Sequence, residues 1–88
     1  MKSPQGSDNL ASLTAVQSRM ARAAVGLGVR ELADAAGVST NTITRFERGE
    51  ALSSRTLSSI RVALEEAGVE FIEANGGGPG VRLRRSNP

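Results

Sequence analysis

Glycine punctuates this chain at intervals that leave room for short helices and little else. Between residues 13 and 68 the apolar positions fall at helical spacing in four runs, closed by Gly26 and Gly28, by Gly37, by Gly49 and by Gly68. Glycine enters the left-handed conformation that ends a helix without the steric cost of a Cβ. The first run carries Leu13, Val16, Met20, Ala23, Ala24 and Leu27. The second, Val29 to Ala36, places Leu32, Ala33 and Ala36 on one side. Only "GVS", Gly37 to Ser39, separates it from the third, which Ser39 caps and Val38 staples from outside, and which runs from about Thr40 to Arg48. The fourth is expected to start at Ser54 as its cap and to bury Leu57, Ile60, Leu64 and Ala67.

After Gly68 the period changes from helical to alternating. "VEFIE" and "VRLRR" are β-prone, and "ANGGGPG" between them serves as a hairpin connection. Val69 and Phe71 share one face of the first strand; Val81 and Leu83 share one face of the second, with Arg82 and Arg84 on the other. The expected fold is therefore mainly α: a flexible N-terminal arm over 1–12, four helices over 13–68, a β-hairpin over 69–85 and a flexible tail over 86–88. A chain of 88 residues builds one small domain with little net stability, to which association with a second copy would add.

Composition matters once chemistry is asked of the chain. It contains neither cysteine nor histidine, so disulfides, the common metal sites and the usual nucleophile and base pairs are out of reach. An enzyme is not expected, nor a catalytic residue, a metal or a cofactor. No apolar run approaches the ~20 residues that span a bilayer, and no secretory h-region is present, so no membrane partner and a cytoplasmic location are expected. The basic residues are arginine with one exception, Lys2, which suits phosphate and guanine edges; the formal net charge of +2 decides nothing by itself.

The third helix carries the functional signal. At about 100° per residue, Thr40, Asn41, Thr44, Arg45 and Arg48 fall within an arc of roughly 140°, while Ile43 and Phe46 lie opposite. Any surface helix has a polar face, but a merely solvated one favours Glu, Lys and Gln. Thr and Asn are poor helix formers, short enough to let the helix approach another surface closely. Two short helices joined by a tight glycine-containing turn form a helix-turn-helix arrangement, whose second helix enters a DNA major groove.

At these residues the chain resembles a known family. "RELADAAGVSTNTITRFERGE" resembles the helix-turn-helix core of the Cro/C1-type repressors, the XRE family, and "TLSSIRVAL" is similar to that family's fourth helix, over about Arg19 to Val69. The resemblance implies a four-helix lambda-repressor-like domain that binds double-stranded DNA. It implies that Thr40, Asn41, Thr44 and Arg45 face base edges, with Ser39 and Thr42 near the DNA backbone. It further implies that Arg48, Ser53, Ser54 and Arg55 bind phosphates and that Arg22 pairs with Glu47 beneath the DNA surface. One departure stands out: Val29 occupies a position where the family commonly carries a phosphate-bracing glutamine, with Arg30 beside it.

The leading expectation is thus a sequence-specific transcriptional regulator, a repressor associated with the nucleoid, that inserts helix 40–48 into an operator. The alternative is an antitoxin-like or other protein-interaction module that keeps the fold and engages a protein partner through its hairpin. A phosphate cradle at "GGGPG" is disfavoured because that loop leads into a strand rather than a helix. The hairpin is expected to pack near the fourth helix and to support a homodimer through Phe71, Ile72, Val81 and Leu83; a hairpin that only caps the core of a monomer is the other option.

Overall fold

A computed structural model describes residues 12–84. Four helices, α1 (Ala15–Val25), α2 (Val29–Ala36), α3 (Thr40–Glu47) and α4 (Ser54–Ala67), precede the strands β1 (Val69–Ile72) and β2 (Gly80–Leu83). The strands pair antiparallel, Val69 opposite Leu83, Glu70 opposite Arg82, Phe71 opposite Val81 and Ile72 opposite Gly80. Residues 1–11 of the expected arm, residue 85 of the expected hairpin and the tail 86–88 lie outside the described residues.

Local chemistry explains most boundaries. Thr14 caps α1 in a capping box: its hydroxyl accepts from the Gln17 amide while the Gln17 side chain accepts from the Thr14 amide. Ser39 caps α3 through the Thr42 amide. At α4 the cap is Ser53, one residue before the expected Ser54, because the Ser53 hydroxyl is the one that reaches the Thr56 amide. Gly37 and Gly49 adopt positive φ, and both turn the chain through paired hydrogen bonds back onto the last helical carbonyls.

The core gathers Leu32, Ala33, Ile43, Phe46, Ile60, Ala63, Leu64 and Val69 around Leu13 and Ala21. Here the expected stripe on the first helix needs correction. Val16 is 51% exposed and Ala23 and Ala24 are exposed, whereas Gln17 and Ser18 are buried. Both polar side chains have partners waiting in the interior, so their burial carries no unsatisfied group. Gln17 Nε2 donates to the carbonyls of Ile72 and Gly80 at 3.2 and 3.0 Å, and Ser18 donates to Glu47 at 2.6 Å. On α4 the last expected core position, Ala67, is exposed, and Arg61 is buried instead.

The hairpin joins this core more closely than expected. It lies against α1 as well as α4, and Val69 is fully buried. The Arg61 guanidinium sits 5.0 Å from the Phe71 ring centroid and donates to the Ser12 carbonyl at 2.7 Å. Arg82 and Arg84 are both exposed, and both are engaged within the chain. The Arg84 guanidinium donates to the Glu65 carbonyl near the C-terminus of α4, where a cation is favoured, and Arg82 pairs across the strands with Glu70 at 2.8 Å.

Candidate nucleic-acid interface

The α2–α3 unit is held from behind. Ile43 and Phe46 enter the core, and the carboxylate of Glu47, on the same side, meets two donors from α1. Arg22 binds it two ways, Nη2 to Oε1 at 2.6 Å and Nε to Oε2 at 2.9 Å, while Ser18 Oγ donates to Oε2. Glu47 is 7% exposed and Arg22 20%. Burial alone pushes the Glu47 carboxyl up, but the hydrogen bonds from Arg22 and Ser18 and the charges of Arg22 and Arg19 outweigh it, so Glu47 is held below the usual carboxylate range. The hydrogen bond from Arg22 to Glu47 in turn raises Arg22, against its own partial desolvation. Arg19 contributes a second tie by donating Nη1 to the Glu47 carbonyl at the end of α3. That role is capping of α3 from another helix, a use the sequence did not signal.

With its acid turned inward, α3 presents Thr40, Asn41, Thr44, Arg45 and Arg48 on its exposed side, in one arc. Ser39 is exposed at the start of the helix, and its hydroxyl lies 2.9 Å from that of the half-buried Thr42. Ser53, Ser54 and Arg55 are exposed at the start of α4. Two helix N-termini therefore open where hydroxyls and amides are accessible, an arrangement that suits phosphate oxygens.

The arginines among the described residues divide into two groups. Arg19, Arg22, Arg45, Arg61, Arg82 and Arg84 are each engaged by a carboxylate or a carbonyl. Arg30, Arg48 and Arg55 make no side-chain hydrogen bond or ion pair among the described residues. These three are exposed and sit at the start of α2, the end of α3 and the start of α4, so their charge is free for an anionic partner. Arg30, adjacent to Val29, thus offers charge where the expected glutamine contact is absent. Val29 itself packs against the core.

Of the four residues assigned to a subunit contact, Phe71 and Val81 pack against the chain's own core. Ile72 and Leu83 remain 40% and 58% exposed, on opposite faces of the hairpin by their register. No helix among the described residues is long and apolar enough to cross a membrane.

Comparison with known proteins bears on the same region. A family model described as a helix-turn-helix domain matches residues 15–69, which spans all four helices and ends at the first residue of the hairpin. Comparison with curated proteins gives no significant match.

Proposed function

The chain belongs to the helix-turn-helix domain family, of the XRE/Cro-like kind, and from that membership we propose that it is a sequence-specific DNA-binding transcriptional regulator that acts as a repressor by occupying an operator, without chemistry. The observation that carries this reading is the division of α3. Its acid is sequestered with Arg22 and Ser18, and its open side carries only neutral hydrogen-bonding groups and arginine.

In the proposed complex, Thr40, Asn41, Thr44 and Arg45 read base edges: arginine suits guanine, asparagine suits adenine and the threonine methyl suits thymine. Ser39, Thr42, Ser53, Ser54, Arg48 and Arg55 hold phosphates and set the register without reading sequence. The guanidiniums of Arg48 and Arg55, which have no side-chain partner among the described residues, support this division of labour. Location in the cytoplasm, on the nucleoid, follows from the proposed role.

A homodimer completes the proposal. Two copies related by a two-fold axis would present recognition helices about 34 Å apart, matching successive major grooves and a roughly palindromic operator. The exposed Ile72 and Leu83, one on each face of the hairpin, support a subunit contact that includes at least one of them, and the same groups are what a foreign protein partner would use in an antitoxin-like role. Selection of bound duplexes from a random pool tests the main reading. A preferred sequence with two half-sites, retained against competitor DNA and weakened steeply by salt, is expected; recovery of no preferred sequence would reject it.

A further inference from the structure

Arg45, the arginine on the open side of α3 best suited to a guanine, is not free. Its Nε donates to Glu50 Oε1 at 2.9 Å, with the two side chains 48% and 49% exposed. The contact is built by the backbone. Gly49, at φ +106°, reverses the chain after α3 so that its own amide reaches the Phe46 carbonyl at 2.9 Å and the Glu50 amide reaches the Arg45 carbonyl at 3.1 Å. This glycine-dependent helix ending brings the side chain two residues past the helix cap onto the one three residues inside it, a meeting usually made by two apolar groups. Here an acid and an arginine meet instead, so Glu50 is tied to Arg45 through both main chain and side chain.

Which nitrogen is held matters. A guanidinium has five N–H donors, and occupation of Nε leaves the terminal Nη1 and Nη2 pair exposed as a forward-facing fork. Among base pairs seen from the major groove, only guanine offers two adjacent acceptors, O6 and N7, to such a fork. A carboxylate beside a DNA-facing surface also repels phosphate, and Glu50 has no partner among the described residues other than Arg45. Its placement is costly for affinity in general and useful only where it orients Arg45.

We propose that Glu50 is a positioning residue for base reading, which holds Arg45 by Nε so that its terminal nitrogens read a guanine end-on, and which lowers affinity for DNA of any other sequence. The proposal rests on α3 being the DNA-reading helix. It makes selectivity at one base pair a property of two residues, one inside the recognition helix and one beyond its end.

The test uses the full chain and its preferred duplex from a random pool, with each base pair varied singly and binding read by anisotropy of a labelled duplex. The position that becomes indifferent in Arg45→Ala is expected to be G·C. At that position Glu50→Ala lowers discrimination about five- to ten-fold, leaves the other positions unchanged, and tightens binding to random duplex about two- to five-fold. Glu50→Gln keeps an acceptor for Nε and retains most of the discrimination. Unchanged discrimination in Glu50→Ala, equal loss at every position, or no advantage of Gln over Ala would overturn the positioning role while leaving DNA reading by α3 intact. A wild-type chain with no position that depends on Arg45 would overturn the assignment of α3 itself, and this proposal with it.

Discussion

Removal of Arg22 tests how α3 is held. Its loss leaves the Glu47 carboxylate, 7% exposed, with Ser18 as its side-chain hydrogen-bond donor and Arg19 as the remaining nearby charge. Stripping one partner from a buried ion pair costs roughly 3–5 kcal/mol, and because Arg22 itself is 20% exposed the low end applies, about 3 kcal/mol. Glu47→Ala costs less, about 2 kcal/mol, since the stranded guanidinium can turn toward water and keeps its hydrogen bond to the Leu27 carbonyl. The double variant is expected to lose no more than about 3.5 kcal/mol, a coupling of at least about 1.5 kcal/mol. Total stability for a domain of this size is roughly 4–13 kcal/mol, so Arg22→Ala lowers the melting temperature by about 12–24 °C. The chain has neither tryptophan nor tyrosine, so urea and thermal melts are best followed by far-ultraviolet circular dichroism.

The same pair sets a pH signature of known sign. In the wild type the folded value of Glu47 lies below its unfolded value, so its contribution is fully present above about pH 4.3 and is lost as the pH falls through the folded value. In Arg22→Ala the hydrogen bond and the charge by which Arg22 lowers the carboxyl are gone, so the folded value of Glu47 rises relative to the wild type. The variant's penalty is then greatest near neutrality and shrinks on acidification. Additive single and double losses, or a penalty that does not change between pH 7 and pH 4, would refute the argument.

Three further outcomes follow from the interface. Arg45→Ala is expected to cost about 1–3 kcal/mol on the preferred duplex and to relax base preference at one position; equal loss on random duplex would deny it a base-reading role. Arg55→Ala, which removes a guanidinium without a partner among the described residues, is expected to weaken all duplexes alike and to reduce the salt slope by about one, and an unchanged slope would rule out its phosphate contact. Replacement of both Ile72 and Leu83 by Glu is expected to halve the mass measured by light scattering in the micromolar range while helicity is kept; a monomeric wild type, or a variant that still dimerises, would remove the hairpin from the subunit contact. Point changes suit this last test better than truncation after Gly68, because Val69 is part of the core.

What the sequence determined by itself was local. Gly37 and Gly49 mark helix ends, Ser39 marks a start and the arc from Thr40 to Arg48 marks an exposed face, because each depends on residues within about one helical turn. The inward pairing of Glu47 with Arg22 came from likeness to a family rather than from spacing. Tertiary structure decided the rest. Periodicity counts apolar residues, so it assigned Val16 to the core and passed over Gln17 and Ser18, whose burial depends on acceptors in β1, β2 and α3. Nor could alternation in "VRLRR" reveal that Arg82 meets Glu70 while Arg84 closes α4, since both partners are fixed by the docking of the hairpin. Glu50 lies between these cases: the glycine that turns it back is visible in the sequence, but the contact with Arg45 required the folded turn, where two side chains five residues apart occupy the same side of a helix end. A buried polar side chain needs a partner, and for Gln17, Ser18 and Glu47 that partner belongs to another element of the chain.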